Sequence, residues 1–317
     1  MNDDAPFHPG EVALQKRLGL DQRLAAIGRT VIRDHMPDQH RELFSKLPTL
    51  LLGAIDAAGQ PWATMLSGLP GFIQSPDART LRAGTRPGAG DPVAPLLHEG
   101  APVGLLGLEP HTRRRNRMNG RIAQVDADGF EVQVLQSFGN CPKYIQARAP
   151  APVARDPSAP ARSESARLSP DARHLIGRAD TLFIASASGP AIGSGRAEGV
   201  DVSHRGGLPG FVQLIEDESA TRLVLPDYQG NFMFNTLGNL QQWPLAGLLF
   251  FDPDSGDMLQ LAVRTEIQHE GAAVRGTPGA QRLVHARVTG GVWRAGAVPL
   301  RWSAAHFAPQ FGAFAAD

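Results

Sequence analysis

Two stretches of this 317-residue chain match each other in order, and this internal similarity constrains the possible fold more than any single motif does. Residues 68–73 (GLPGFI) match residues 207–212 (GLPGFV), and residues 104–109 match residues 247–252. The offset between the matching strings drifts only from about 132 to 143 residues, as small loop insertions would cause. We interpret the pattern as a degenerate tandem duplication, with chance similarity between two strand-rich stretches as the alternative.

Both copies begin with the same predicted elements. Proline in the first turn opens a helix at Pro37-Asp38 and again at Pro170-Asp171, because its missing N–H costs nothing there. These helices are expected to end near Lys46 and Arg178. Apolar strands follow, at residues 49–55 and 181–185. The second copy adds a short helix over 237–242 and a hairpin, 246–251 with 258–267, whose turn is rich in Asp, Pro and Gly.

The chain has 35 glycines and 26 prolines, mostly spread between short apolar runs, which favours many strands and turns. We predict a mainly β protein with a few helices and six or so antiparallel strands in each copy, typical of a small barrel. The first unit spans residues 1–148 and includes N-terminal helices. Residues 149–168, rich in Ala, Pro, Ser and Arg, are predicted to form a semi-rigid or disordered linker. Residues 169–317 form the second unit.

Composition narrows the possible partners and compartments. The formal net charge is zero, so no nucleic-acid partner is expected. No apolar run approaches the length that spans a membrane. The single cysteine, Cys141, cannot form an intrachain disulfide, and the polar N-terminus lacks the features of a signal peptide. A cytoplasmic location is the resulting expectation.

The second copy carries the residue types that bind phosphate. Arg205 follows Ser203 and His204 and precedes Gly206 and a second glycine. The planar arginine fork suits a phosphate group, and paired glycines let the backbone approach a ligand closely. An ordinary surface ion pair is the alternative for the arginine. His204 is interpreted as a hydrogen-bonding residue, with metal or haem ligation as the less favoured reading.

A second group of polar residues lies where a strand passes into the short helix. Asn235, Thr236 and Asn239 combine amide and hydroxyl groups with the exposed N–H groups of a helix start, which favours an anion. Simple helix capping is the alternative for Asn235 and Thr236. The aligned positions of the first copy are mostly apolar: Leu66 for Arg205, then Pro92, Val93 and Leu96. We therefore predict one phosphate site in each chain.

The first copy has unusual residues of its own. Five arginines lie between residues 113 and 121, where they form a solvated face or send Arg117, Asn119 or Arg121 into the ligand site. Cys141 is either a small buried hydrophobe or, with a suitable base, a nucleophile. Lys143, after Pro142, is a candidate for contacting an anionic ligand. Residues 193–198 lack the third glycine of a dinucleotide fingerprint, and no zinc spacing or catalytic triad is present, so no catalytic residue is assigned.

Three sets of strings resemble the pyridoxamine 5′-phosphate oxidase-like family of FMN-binding split β-barrels. They are residues 179–185 with 203–212, residues 227–240, and residues 114–121 with 139–145. The resemblance is to longer members with two joined units and covers roughly residues 8–145 and 168–305. It implies two tandem six-stranded Greek-key split barrels. It also implies an FMN-dependent oxidoreductase with unidentified small-molecule substrate and electron donor, and a possible further homodimer.

The resemblance also implies roles for individual residues. FMN would lie in the cleft between the two units. Arg205 would contact its phosphate from the strand end, with Asn235, Thr236 and Asn239 contacting it from the loop. Gln260 would lie on the next hairpin, near the isoalloxazine ring or the seam between the units. Two departures put vitamin B6 oxidation in doubt: residues 237–239 lack the family's basic pair, and residues 299–303 lack its arginine-histidine motif. A haem-binding or haem-degrading barrel, with His204 or His174 as axial ligand, and a non-catalytic flavin-binding module are the alternatives.

Overall fold

The structure is a computed structural model that describes residues 5–154, 160–190, 192–193 and 195–313. The α-helices in these ranges are α1 (Pro9–Arg17), α2 (Asp21–Val31), α3 (Asp38–Lys46), α4 (Pro170–Arg178), α5 (Asn235–Gln242) and α6 (Ala272–Arg275). The strands before residue 155 are β1 (Thr49–Ile55), β2 (Pro61–Ser67), β3 (Ile73–Gln74), β4 (Thr80–Ala83), β5 (Pro102–Glu109), β6 (Arg114–Val125), β7 (Phe130–Gly139) and β8 (Pro150–Pro152). Those after it are β9 (Arg162–Glu164), β10 (Thr181–Ala187), β11 (Val200–Gly206), β12 (Gln213–Glu216), β13 (Thr221–Tyr228), β14 (Leu245–Phe251), β15 (Met258–Gln268), β16 (Ala280–Arg294) and β17 (Leu300–Trp302).

The helices and strands predicted from capping and apolar runs are confirmed. The Ser169 side chain accepts a hydrogen bond from the Ala172 N–H, which caps α4 at the predicted start. The predicted hairpin is β14 and β15, paired from Leu245 and Arg264 to Phe251 and Met258. The short helix α5 begins at Asn235, two residues earlier than predicted. Asn235 and Thr236 therefore lie in its first turn.

Two antiparallel sheets have the same strand order. The first sheet runs β2-β1-β5-β6-β7-β4-β3, and the second runs β11-β10-β14-β15-β16-β13-β12 with β9 added beside β16. Without β9, each sheet in the described residues thus has seven strands instead of the predicted six. The additional strands are β3, which pairs with β4, and β12, which pairs with β13. The protein is mainly β, as predicted.

Each sheet encloses a hydrophobic core of its own. In the first sheet, alternate residues of every strand from β2 to β3 face one cluster, which includes Leu105 and Phe130. In the second sheet the corresponding cluster includes Leu248 and Val284. Because residues from both edges of a sheet share one core, each sheet curls around it. Helices α3 and α4 each pack against one of these cores.

The opposite faces of the two sheets pack against each other. Leu51 and Leu106 of the first sheet share a third cluster with Phe183 and Leu249 of the second. The sheets come closest at glycines in equivalent strands. A Cβ on Gly104 would lie 2.3 Å from the Val200 carbonyl oxygen, and one on Gly247 would lie 2.5 Å from that of Pro61. Each sheet thus presses a central strand against the other sheet's edge strand.

Part of the predicted linker is ordered by strand pairing. β8 pairs with β17, and β9 pairs with the long strand β16. The buried Glu164 carboxylate accepts hydrogen bonds from the Ser169 N–H at 2.9 Å and from the Ser169 hydroxyl at 2.8 Å. Low apolar content did not prevent these segments from pairing, because an exposed strand edge offers backbone partners to any sequence. Residues 155–159 of the predicted linker lie outside the described residues.

The N-terminal helices cover the second sheet's short helix. A Cβ on Gly10 of α1 would lie 2.2 Å from the Gly238 carbonyl oxygen of α5, so the two helices are in backbone contact there. Phe7 and Ile32 pack with Phe138 of β7 and Met233 of the loop before α5. In the described ranges, no helix combines the length and apolar character needed to cross a bilayer.

Candidate anion-binding site

A cavity of about 100 Å³ lies where β11 and α5 meet β6 of the first sheet. We call it the basic cleft. Its described lining includes four arginines and a single aspartate. The polar lining residues are Arg115, Arg117, Asn140, Cys141, Ser203, His204, Arg205, Asp227, Tyr228, Asn231, Asn235, Thr236, Gln281 and Arg282. Residues of both sheets line this cavity.

Ser203 of β11 contacts both the first sheet and α5. It shares one face of β11 with Asp201 and Arg205, because alternate residues of a strand point the same way. Its hydroxyl oxygen accepts a hydrogen bond from the Arg117 guanidinium and another, at 3.0 Å, from the Thr236 hydroxyl. A hydroxyl that accepts two bonds still carries its own proton to donate. Ser203 and Thr236 are thus oriented by each other at the wall of the cleft.

Arg117 is a buried cation of the first sheet that reaches into the second. Its side chain is 4% exposed, lies over the Phe138 ring at 5.4 Å, and places Nη1 3.2 Å from the Asp201 carboxylate. Its Nε and Nη1 groups have no hydrogen-bond partner among the described residues. Nη1 has the Asp201 carboxylate beside it, whereas the buried Nε lacks an acceptor, which favours an anionic ligand that can supply one.

The arginines between residues 113 and 121 do not form a solvated face. Arg115 and Arg117 lie on the same side of β6 and line the basic cleft, and Arg115 donates to the Cys141 carbonyl oxygen at 2.8 Å. The others bind backbone carbonyls elsewhere: Arg113 that of Ile145, Arg114 that of Gln39, and Arg121 that of Gly100. A strand separates neighbouring arginines onto opposite faces, which divides the cluster.

Asp227 and Arg282 are site residues that the sequence did not reveal. They are directly opposite each other on β13 and β16, and the Arg282 guanidinium lies 3.0 Å from the Asp227 carboxylate. Arg205 approaches the same carboxylate at 3.8 Å, and Arg282 lies over the Phe234 ring at 5.0 Å. No local signal could have found this pair, because strand pairing brings together residues 55 positions apart. The aspartate holds two arginines side by side at the cleft.

The electrostatics of the cleft favour an anion. Burial, followed by the positive charges of Arg117 and Arg205, lowers the pKa of Arg115 to about 9. Burial also lowers the pKa of Arg205, against the opposing effect of Asp227. Both shifts reflect several cations held close together in a partly buried cleft. A bound dianion would relieve that repulsion.

His204 separates the basic cleft from the apolar contact between the sheets. Its ring lies 5.7 Å from that of Phe183, edge to face, and the side of the residue away from the cleft borders a cavity of about 30 Å³. It is 4% exposed, and neither ring nitrogen has a hydrogen-bond partner among the described residues. Burial, then the charges of Arg115 and Arg205, holds the pKa of His204 well below 6.5, so the imidazole is neutral.

His204 should make the protein less stable in mild acid. Because its folded-state pKa is depressed, the unfolded chain binds the extra proton, and stability is lost as the pH falls below about 6.5. The loss has a limiting slope of about 1.4 kcal/mol per pH unit. Urea unfolding at about pH 7.5 and 5.5 should show a smaller difference for His204→Phe than for the unchanged chain. The exposed His174→Phe should keep the full difference, and equal slopes in all three chains would contradict the assignment.

Thr236 and Asn235 line the cleft, but each already donates a hydrogen bond to another side chain of the protein. Thr236 donates to Ser203, as described above. Asn235 donates to the Glu11 carboxylate of α1 at 2.5 Å. Burial, followed by the nearby Asp201 charge, raises the pKa of Glu11 well above 4.5. Glu11 was not predicted, although it has a local signal: the capping box that it forms with His8 at the start of α1.

Asn119 and Asn239 lie behind the cleft and not in its lining. Both donate to the Asp201 carboxylate, Asn119 at 2.8 Å and Asn239 at 3.0 Å. Asp201 also pairs with Arg117, so this one buried carboxylate joins β6, α5 and β11. The two asparagines therefore position the wall of the site. Asp201 itself was not predicted, because a single aspartate at a strand start gives no signal.

Three further predicted residues do not line the basic cleft. A Cβ on Gly206 would lie 2.0 Å from the Tyr144 carbonyl oxygen, so this glycine is needed for packing against the first copy's loop. Lys143 is half-buried in that loop. Gln260 is fully buried elsewhere between the sheets, where it donates to the Ala63 carbonyl at 2.9 Å and to Asp91 at 3.1 Å.

The loop before α5 has a strained backbone. Phe232 and Phe234, both in the lining, have φ angles of 61° and 63°, and Tyr144 has 67°. Bulky residues rarely adopt this left-handed region, at a cost on the order of 1–3 kcal/mol each. Such conformations persist where packing enforces them, and here they hold an aromatic wall against the arginines.

Comparisons with known proteins give weak similarities only. No protein-family model matches, and no curated protein matches by sequence. Among solved structures, HupZ of Group A Streptococcus is 12% identical with a TM-score of 0.29, covering 38% of this chain and 89% of that one. A general stress protein 26-related protein of the pyridoxinephosphate oxidase family, from Clostridium acetobutylicum, is 11% identical with a TM-score of 0.28, covering 42% and 91%. An FMN-binding protein from Syntrophomonas wolfei is 15% identical with a TM-score of 0.24, covering 37% and 85%. Scores this low carry no weight for fold or ligand.

Proposed function

We propose that the chain binds FMN, with its phosphate in the basic cleft, and acts as a flavin-dependent oxidoreductase built from two tandem split barrels. The observation that carries the proposal is the convergence of four arginines on one cavity: Arg117, whose buried Nε has no hydrogen-bond partner among the described residues, with Arg115, Arg205 and Arg282. Arginines that converge on one cavity from both sheets need an anion, and a phosphate monoester offers several acceptor oxygens. The identical strand order of the two sheets supports the proposed duplication.

The residues present fit the phosphate end of such a cofactor. Arg117, Arg205 and Arg115 would supply charge, and the Ser203 hydroxyl, which accepts the proton of Thr236, would donate its own. The cavity, of about 100 Å³, has room for a phosphate group. Bound FMN would supply the redox chemistry, and this chain would contribute position and electrostatics. His204, held neutral, would add no charge to the site.

Comparison of FMN with riboflavin tests the proposal directly, because riboflavin lacks the phosphate. Fluorescence titration of the flavin-free protein should show FMN bound at least about tenfold more tightly than riboflavin. Arg205→Ala should weaken FMN binding about 10- to 100-fold and leave riboflavin binding unchanged. Arg264→Ala, which removes an exposed arginine of β15, is the matched control and should bind FMN normally.

Four results would count against the proposal. A colourless protein that ignores added FMN excludes the cofactor, and equal affinities for FMN and riboflavin exclude the phosphate site. A Soret band on adding hemin, lost in His204→Ala, would favour the haem alternative. Its supporting observation is the neutral His204 imidazole, which has no hydrogen-bond partner among the described residues. Bound flavin that resists reduction by every nicotinamide donor would favour a non-catalytic module.

A further inference from the structure

The two sheets contain a second cluster that occupies the same topological position as the basic cleft. Arg117 lies opposite Leu106 in the first sheet, and Gln260 lies opposite Leu249 in the second, with Leu106 and Leu249 in equivalent central strands. Gln260 therefore stands where Arg117 stands. By the same register, Thr64 of β2 takes the position that Ser203 takes in β11.

The charges of this counterpart cluster differ from those of the basic cleft. Its members are Thr64, Asp91, Gln260 and Arg294. Leu66 replaces Arg205, and Met258 replaces Arg115, in the matching registers. Arg294 is thus the one arginine of the cluster, and Asp91 is its one carboxylate.

The Asp91 carboxylate is bound in the way a ligand anion is bound. Its side chain is 1% exposed and lies in the loop before the short 3₁₀-helix Ala94–Leu96. One oxygen accepts from the Thr64 hydroxyl at 2.5 Å and from Arg294 at 2.6 Å. The other accepts from the Gln260 amide at 3.1 Å and from the Val93 N–H at 2.9 Å. A hydroxyl, a guanidinium, an amide and a backbone N–H of its own loop thus converge on one carboxylate.

We propose that Asp91 takes, in the counterpart cluster, the place that the ligand's anion takes in the basic cleft. This inference rests on the proposed phosphate site, because the counterpart cluster is compared with it. The contacts of Asp91 themselves do not depend on that proposal. It follows that the chain binds one anion because the second position is filled by its own carboxylate. Removing that carboxylate should create a second anion site, of carboxylate or phosphate chemistry, at Arg294 and Thr64.

The test is chemical rescue of Asp91→Ala. It is made in an Arg205→Ala background, so that binding in the basic cleft does not contribute. Thermal unfolding is followed while acetate or inorganic phosphate replaces chloride at constant ionic strength. The Asp91→Ala chain should unfold at a lower temperature in chloride and regain about 4 °C or more with acetate. The chain that keeps Asp91 should respond to neither anion by a comparable amount.

The second variant identifies the group that binds the added anion. Asp91→Ala with Arg294→Met should not respond to acetate, because the cation that would hold it is gone. An Asp91→Ala chain that is unfolded in chloride and folds on adding acetate also supports the proposal. A chain that does not respond to either anion, or that stays unfolded in both, overturns it. These outcomes do not depend on whether FMN binds. The FMN titration tests the proposed function, and the rescue experiment tests the role of Asp91, so the failure of one can be distinguished from the failure of the other.

Discussion

Replacing Asp201 by alanine should lower the free energy of unfolding by about 3–5 kcal/mol, the largest effect expected at any polar residue of the site. The carboxylate pairs with Arg117 at 3.2 Å and accepts hydrogen bonds from Asn119 and Asn239. Without it, the buried guanidinium loses its charge partner and two buried amides lose an acceptor. Each of these groups was removed from water when the chain folded, so each now carries its desolvation cost.

Urea unfolding measures this change, with Asp128→Ala as the control. Asp128 is an exposed aspartate of the β6–β7 turn, and its replacement should change stability by less than about 0.5 kcal/mol. A second substitution, Arg117→Met, should recover part of the loss caused by Asp201→Ala, because the unpaired charge is then gone. A loss below about 1 kcal/mol for Asp201→Ala would show that the carboxylate does not hold the sheets together.

Addition of one methyl group at Gly104 should cost about 3 kcal/mol of stability. The new Cβ would lie 2.3 Å from the Val200 carbonyl oxygen and 2.9 Å from the Asp201 Cα, both backbone atoms of the opposing edge strand. Backbone cannot rotate away as a side chain can, so the two sheets must separate. That separation would also displace Asp201 and Ser203, which lie beside Val200 on β11.

Gly139→Ala is the matched control for this substitution. Gly139 also lies in a strand of the first sheet, but its nearest neighbour, the Asn116 side-chain oxygen, would be 3.8 Å from the new Cβ. Alanine there should be neutral or slightly stabilising, because it reduces the freedom of the unfolded chain. Chemical denaturation of both variants measures the difference. Similar stabilities for Gly104→Ala and Gly139→Ala would contradict the close contact between the sheets.

The elements of the fold were predictable because their signals are local. Pro170 and Ser169 specify the start of α4, and apolar runs specify β1 and β10. The ordered part of the linker was not predictable, because β9 gains its stability from pairing with β16, more than a hundred residues away. The composition of residues 162–164 does not indicate that β16 will pair with them.

The site was predictable only in part, for a similar reason. Ser203, Arg205 and Thr236 were predicted to lie near one another, and all three line the basic cleft. The period of two along β6 could have indicated that Arg115 and Arg117 share a face. Asp227, Arg282 and Asp201 could not be found, because their roles depend on cross-strand register and on contacts between the two sheets.

The sequence by itself determined a mainly β chain with a repeated order of elements and an asymmetry between the copies, since Leu66 stands where Arg205 stands. These properties reside in short runs of residues and in their order. Only the tertiary structure decided which arginines meet in one cavity and which carboxylates restrain them. It also placed Asp91 among the polar residues of the counterpart cluster. Those placements depend on pairing between distant strands, and the free energy of a buried charge is set by everything packed around it.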